Sequence, residues 1–300
     1  MTISMRPFAG EHDFVALVEL VKTVPASTPH IVDLPWRMSS PVTTSNRDAY
    51  VWEDENGTLL GFAAWQYWWA VLDYFIRPDF HKQAIEQQLY SIMQQRFREL
   101  DQERGKQFPY WVEFRDDDAE RKAAAEQHGY TLKEDYYYVQ MQHSLTELSK
   151  ELHLPTGFTI RPLAGAQEVE VYVVLHRAAF ESMSMTSEWR QRTLLTPYYQ
   201  PELDLVVVAP DGTLAGFCVG WLDPYRAIGQ IEPIGIHPNF QGMGLGSALL
   251  HEILRRFKAY GAKEARVETQ SIRIPAVQAY ESVGFQVAHK VFRQGKYIYT

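Results

Sequence analysis

The sequence predicts an α/β fold built as two tandem domains, each a mixed central sheet flanked by helices. Three observations carry this. Strand-like and helix-like periodicities alternate along both halves, the pattern of a sheet covered on both faces. Segments of the first half recur in the second at one constant offset. A glycine-rich turn, Gln241-Gly242-Met243-Gly244-Leu245-Gly246, joins a β-branched run to an amphipathic helix.

The duplication fixes the domain plan. Met5-Arg6-Pro7-Phe8-Ala9-Gly10 returns as Ile160-Arg161-Pro162-Leu163-Ala164-Gly165, and Gly57-Thr58-Leu59-Leu60-Gly61-Phe62 as Gly212-Thr213-Leu214-Ala215-Gly216-Phe217, both 155 residues on. His128-Gly129-Tyr130 matches Val283-Gly284-Phe285 at the same 155, and residues 76–80 match 236–240 at 160. Chance rarely keeps one offset across separate segments, so the halves read as diverged copies, residues 1–150 and 151–300. The boundary is expected within 144–157, where a charged stretch ends in Leu154-Pro155-Thr156-Gly157.

In order, the second copy reads as a strand at 159–162, a helix at 166–179 and a loop-rich stretch at 180–201. Strands follow at 205–209 and 215–221, joined by a turn at Asp211-Gly212, and then the central strand at 229–237, marked by Ile231, Ile234 and Ile236. Leu249, Leu250, Ile253, Leu254 and Phe257 recur at helical spacing through 245–260. A strand at 265–269, a helix at 275–282 and a strand at 285–292 complete the copy.

Composition bounds the rest. With 300 residues and 46% hydrophobic, each half can bury its own core. Residues 151–300 hold 14 Lys+Arg and 14 Asp+Glu, so the whole net charge of −8 lies in residues 1–150. That acidic half is a poor host for a polyanion, and no basic face with interleaved aromatics suggests nucleic acid. A single cysteine, Cys218, rules out an internal disulfide framework, and the start MTISMRPFAG lacks the charge and apolar run of a leader. No apolar run is long enough to cross a bilayer. The expectation is a cytoplasmic protein with no membrane partner.

The glycine turn carries chemistry. Glycines at 242, 244 and 246 let the backbone turn tightly and present N–H groups at a helix N-terminus, where an anion such as phosphate is favoured. The spacing is neither a dinucleotide fingerprint nor a nucleotide P-loop, since the sixth positions from Gly242 and Gly244 are Ser247 and Leu249 and no lysine follows. Q/R-x-x-G-x-G after a strand does fit, and it resembles the acetyl-CoA-binding motif of the GNAT N-acetyltransferase superfamily. The resemblance extends to Ala276-Val277-Gln278-Ala279-Tyr280-Glu281-Ser282-Val283-Gly284-Phe285, which is similar to that family's A-[IV]-x-x-Y-E-x-x-G-F stretch. Tandem members such as mycothiol synthases have a similar layout, with catalysis in the second copy.

That resemblance implies acetyl-CoA as co-substrate and transfer of its acetyl group to a primary amine in a ternary complex. The strand edge at Ile234, Gly235 and Ile236 is then expected to pair with pantetheine, and the amides of Gln241, Gly242, Met243, Gly244, Leu245 and Gly246 to hold the pyrophosphate. Tyr280 matches the family tyrosine that donates to sulfur, although its spacing with Val277 and Gly284 also suits a core aromatic. Glu232, with Gln230 two residues before it, is the candidate base, with Ile234 and Ile236 expected on the same face. A carboxylate paired with Arg226 is the other reading. Where the family has asparagine this chain has Arg273, which is within reach of a CoA phosphate. Pro233 implies a bulge or splay in the central strand.

The acceptor is less legible. Residues 180–201, with Met183, Met185, Trp189, Tyr198 and Tyr199, and the strand end Trp221-Leu222-Asp223 are expected to wall its site. Trp189, Tyr198 and Trp221 suit a hydrophobic amine or ordinary packing, and Asp223 suits an ammonium. The first copy lacks the cradle: Ala84, Glu86 and His81 stand for Gly244, Gly246 and Gln241, and Ala125 for Tyr280. A Cβ is expected to crowd that turn and Glu86 to repel a phosphate. Cys218, within Gly216-Phe217-Cys218-Val219-Gly220, reads as a buried strand thiol, and His251-Glu252 lacks the second histidine of a zinc helix, so no metal is proposed. A CoA-binding regulatory module or a scaffold remains the alternative to an enzyme, and a homodimer stays open.

Overall fold

The computed structural model describes residues 2–41, 45, 47–78, 81–105, 107–148 and 154–297. The first half runs β1 (Ser4–Pro7), α1 (Glu11–Thr23), α2 (Leu34–Ser39), β2 (Ala49–Glu53), β3 (Leu59–Gln66), β4 (Val71–Ile76), α3 (Lys82–Arg104), β5 (Tyr110–Arg115), α4 (Ala119–Gln127) and β6 (Thr131–Ser144). The second runs β7 (Thr159–Pro162), α5 (Val169–Phe180), α6 (Ser187–Leu195), β8 (Asp204–Val208), β9 (Leu214–Asp223), β10 (Ile228–Ile236), α7 (Leu245–Ala259), β11 (Glu264–Gln270), α8 (Ile274–Ser282) and β12 (Gln286–Lys296). The mixed α/β class is as expected. The 155 offset carries β1 onto β7 and α4 onto α8 residue for residue.

The chain forms two compact units that trade segments rather than dividing at one point. One comprises Met1–Ile31, Ser40–Tyr137 and Lys290–Thr300, the other Val32–Ser39 and Tyr138–His289. A single cut at 150/151 therefore does not describe them, because pairing, not order in the chain, decides where a strand belongs. Residues 149–153 of the expected boundary, and Asp79 and Phe80 of the 160-offset match, lie outside the described residues.

In the first unit β1, β2, β3 and β4 pair antiparallel in sequence order, and β4 meets β5 in parallel at Val71 and Trp111. The last strand is the end of the chain: Val291–Lys296 of β12 runs antiparallel to β5, from Arg115 to Tyr110. Helix α3 buries Ile85, Leu89, Tyr90, Met93 and Phe97 against this sheet, an apolar stripe at helical spacing.

In the second unit β7, β8, β9 and β10 pair antiparallel, β10 and β11 run parallel, and the end of β6 closes the far side against β11. On α7, Leu249, Leu250, Ile253, Leu254 and Phe257 are buried, the face read from their spacing. Gly220 explains how closely this helix docks, since a Cβ there would lie 2.7 Å from Phe257 and 2.8 Å from Ile253.

One device appears in both units. Arg6 grips Asp13, which also accepts from the Ala9 amide at 2.7 Å; Arg161 grips Glu168, which accepts from the Ala164 amide at 2.7 Å. All three positions are related by 155. The paired arginine pins the first strand to the first helix in each copy.

Candidate active site

The site grows from the way β10 leaves its neighbours. Its pairing with β11 runs from Ile228 to Ile231, while its pairing with β9 resumes at Ile234 after a bulge. Pro233, joined to Glu232 by a cis bond, occupies that bulge, as its missing N–H led one to expect. Beyond Ile231 the edge of Ile234, Gly235 and Ile236 therefore turns away from the β11 ladder, and all three residues are only half-buried.

The bulge also corrects the expected faces. Ile231, Ile234 and Ile236 stand opposite Gly220, Cys218 and Gly216, which alternate on one face of β9, the face that meets α7. The bulge breaks the period of two, so Ile234 and Ile236 do not share a face with Gln230, and Glu232 lies within the bulge itself. The Glu232 carbonyl accepts from the Trp221 indole at 2.6 Å, which ties the bulge to β9.

The glycine turn follows. Gly242 and Gly244 have φ of 79° and 80°, and Gly244 caps α7 with no side chain bonding the first-turn amides. Such N–H groups and the helix dipole favour an anion, the role expected of this turn. Gln241 donates to the Ile236 carbonyl at 3.3 Å and fixes the turn to the end of β10. The expected reason for glycine needs revision: a Cβ on Gly244 meets nothing within 4 Å, and one on Gly246 is 3.7 Å from Ile236. At 244 the left-handed φ, not crowding, demands glycine. Met243 is exposed at the tip, and Leu245 is buried and anchors the helix start.

Tyr280 lies in the last turn of α8, 7% exposed and edge-on to Phe285 at 6.0 Å. Burial first, and then the Glu232 carboxylate, push its hydroxyl well above the usual range. It keeps its proton at neutral pH and can donate it. Its electrostatic coupling to Glu232 brings the two candidate catalytic groups into one neighbourhood. Arg273 sits exposed just before α8 with its guanidinium 5.9 Å from the Phe180 ring.

The expected acceptor residues divide. Trp189 is 2% and Trp221 1% exposed, so both belong to packing. Trp189 stacks on Trp36 at 4.9 Å and donates to Ser39. Asp223 is held by Arg226 at 2.7 Å, which takes up the carboxylate expected for an ammonium. Tyr198, 44% exposed, keeps a surface position. Cys218 is fully buried, and burial raises its thiol well above the normal range, which rules against a nucleophile.

Sequence reasoning missed a buried polar cluster behind this wall. Arg190 pairs with Asp204, both side chains fully buried, Tyr199 donates to Asp204 at 2.6 Å, and the Arg190 guanidinium lies 3.7 Å from the Tyr172 ring centroid. It fastens α6 to β8. No local pattern announces it, because the partners are distant in sequence and each resembles a surface residue. In the first unit the cradle is replaced by helix: α3 starts at Lys82, and the His81 before it has helical φ/ψ. Glu86 lies half-buried in that helix, and burial raises its carboxyl.

Residues 171–285 match the acetyltransferase (GNAT) family. A mycothiol acetyltransferase of Kineococcus radiotolerans is 31% identical over 141 residues, 45% of each chain. One from Pseudarthrobacter chlorophenolicus is 26% identical over 223 residues, 72% of this chain and 66% of that protein. The chain spans about half the length of the first of these relatives and under two thirds of the second. Among solved structures, a tandem GNAT protein from the clavulanic acid biosynthesis pathway is similar at TM-score 0.67, 14% identity, covering 100% of this chain and 99% of that one. A GCN5-related N-acetyltransferase from Sphaerobacter thermophilus is similar at TM-score 0.63, 19% identity, covering 99% and 96%. These likenesses establish the fold and its tandem layout.

Proposed function

From a GNAT-family domain over residues 171–285 in a tandem layout, we propose that this chain is an N-acetyltransferase whose second copy, residues 151–300, moves an acetyl group from acetyl-CoA to a primary amine. The observation that carries the reading is the coincidence at one place of a parted β10 edge, an uncapped helix N-terminus with two left-handed glycines, and a buried protonated tyrosine. The amides of residues 242–246 would hold the pyrophosphate, since the Gln241 amide expected among them donates to the Pro238 carbonyl at 3.3 Å, and the edge at 234–236 would hold the pantetheine arm. Arg273, exposed at the start of α8, would meet a phosphate. Acetyl-CoA brings the activated acyl group; the chain holds it and manages protons.

Of the proton steps, Glu232 takes the one leaving the acceptor nitrogen, directly or through water, and the Tyr280 hydroxyl gives one to the departing sulfur. A direct ternary complex follows, because Cys218, the chain's one thiol, is buried. A small-molecule amine is the acceptor class to test first, since the relatives are named for a small molecule. Among the described residues no helix is long and apolar enough to cross a membrane, and we place the protein in the cytoplasm.

The test is thiol release from acetyl-CoA across a panel of primary amines, with calorimetry on the same preparation. Release that depends on an added amine is expected. Heat of binding without release from any acceptor would favour a CoA-responsive regulatory module, and no heat at all would end the proposal.

A further inference from the structure

The two copies treat the same cleft in opposite ways. In the first unit the parallel pair β4 and β5 meets at Val71 and Trp111 and then parts, as β10 and β11 part after Ile231. Across that parting lies the side chain of Arg121, from the first turn of α4. Its Nε donates to the Glu113 carbonyl at 2.6 Å and its Nη1 to the Tyr74 carbonyl at 3.1 Å. Its guanidinium carbon stands 3.6 Å from the Tyr74 ring centroid, and the residue is 8% exposed. Beside the guanidinium is a cavity of about 60 Å³, lined by Tyr74, Ile76, Lys82, Glu86 and Arg121 among others.

The duplication says what this arginine replaces. By the 160 offset Tyr74 corresponds to Ile234, one of the residues proposed to meet pantetheine, and by the 155 offset Glu113 corresponds to Glu268 and Arg121 to Ala276. Tyr280 in turn corresponds to Ala125, which is fully buried. Large and small have changed places: Arg and Ala at 121 and 125, Ala and Tyr at 276 and 280. We infer that Arg121 is a built-in ligand that fills the first copy's cleft, and that the small side chain of Ala276 is what leaves the second copy's cleft open to a thin amide chain. The second clause rests on the proposed acetyl-CoA site; the first does not.

The chemistry is complementary. Parted parallel strands leave main-chain carbonyls without ladder partners, and these must be satisfied by something. A pantetheine arm offers amide N–H groups; a guanidinium offers charged N–H groups in a planar fork, and it travels with the chain. Emptied of Arg121, the cleft should accept a free alkylguanidinium.

Two arms test this on the full chain. Arg121→Ala is expected to lower the melting temperature by roughly 5 °C or more, since it unmakes two charge-assisted bonds in a buried place. Ethylguanidinium at about 10 mM should restore part of the loss by mass action, without the same gain in wild type. Arg121→Met, which keeps the stem but no donor, should fall between the two and respond less to the additive. In the second arm, Ala276→Arg should weaken acetyl-CoA binding by roughly 100-fold in calorimetry while leaving the melting temperature equal or higher, with Ala276→Leu intermediate.

An Arg121→Ala chain that melts like wild type and ignores ethylguanidinium would overturn the built-in ligand. A folded Ala276→Arg chain that binds acetyl-CoA as wild type does would overturn the role of Ala276. If wild type itself binds no acetyl-CoA, the proposed function fails while the Arg121 arm still decides its own question.

Discussion

Set side by side, the two units agree at their first strand, at the arginine clamp beside it and at the helices α4 and α8, and disagree where a ligand would lie. Arg6 with Asp13 and Arg161 with Glu168 make the same clamp, and α4 and α8 span equivalent residues. Yet the turn before α7 has two left-handed glycines, while α3 simply begins earlier with helical backbone. A fold can be kept by its packing and pins while the turn before a helix changes, because the two are carried by different residues.

The strongest challenge to this comparison is removal of residues 290–300. Val291–Lys296 are the strand beyond β5, and Gln294 and Val291 are buried, so the first unit should lose its cooperative unfolding. Amide exchange along β5 would reveal it, and protection equal to wild type would show that the unit closes without that strand. A fragment of residues 1–150 fails to represent the first unit for the same reason.

Next in size is Tyr280→Phe. Loss of the proton donor should lower turnover by roughly 100-fold with acetyl-CoA affinity little changed. Unchanged turnover would return Tyr280 to packing and leave the second copy no more equipped than Ala125 leaves the first.

A pH difference separates the units as well. His176, whose counterpart by the 155 offset is Val21, is pushed down to about 3 by burial, with Arg190 and Arg177 adding to it. Folded, it stays neutral; unfolded, it takes a proton below about 6.5, so stability falls as pH drops from there towards 3. The slope approaches ~1.4 kcal/mol per pH unit for this one group. Denaturant melts of His176→Phe should be flatter between pH 6.5 and about 4.5, and identical pH dependence in both chains would show that the ring is protonated inside the fold.

The smallest effect is expected at Gly244. With φ of 80° but open space around its Cβ position, alanine costs about 1 kcal/mol of backbone strain, hence about a fivefold weaker hold on acetyl-CoA. If valine at 244 does no worse than alanine, the left-handed turn is not what the ligand needs.

Much of this was legible from the residues alone. The glycine turn, Tyr280 and the ends of α7 and β7 follow from local pattern, because each rests on spacing within one element. The face of Ile234 relative to Gln230 was not legible, since Pro233 announces a bulge but not which residues it flips. Nor were the roles of Trp189 and Asp223, which were decided by Trp36 and Arg226. Segments 32–39 and 290–300 were assigned by sequence order, whereas their partners are chosen by sheet edges and helix faces far along the chain. Nothing local in the sequence marks Arg121, because the carbonyls it bridges belong to two strands that only the fold brings together.

The placement of β12 also bears on how the polypeptide is made. Translation delivers the amino end first, but the first unit's final strand is made only after the segment 138–289 of the second unit. Until residues 291–296 emerge, that unit waits with the far edge of β5 unpaired by them. The nascent chain is thus committed to finishing both halves together, and premature termination anywhere upstream of residue 290 yields no complete half at the front.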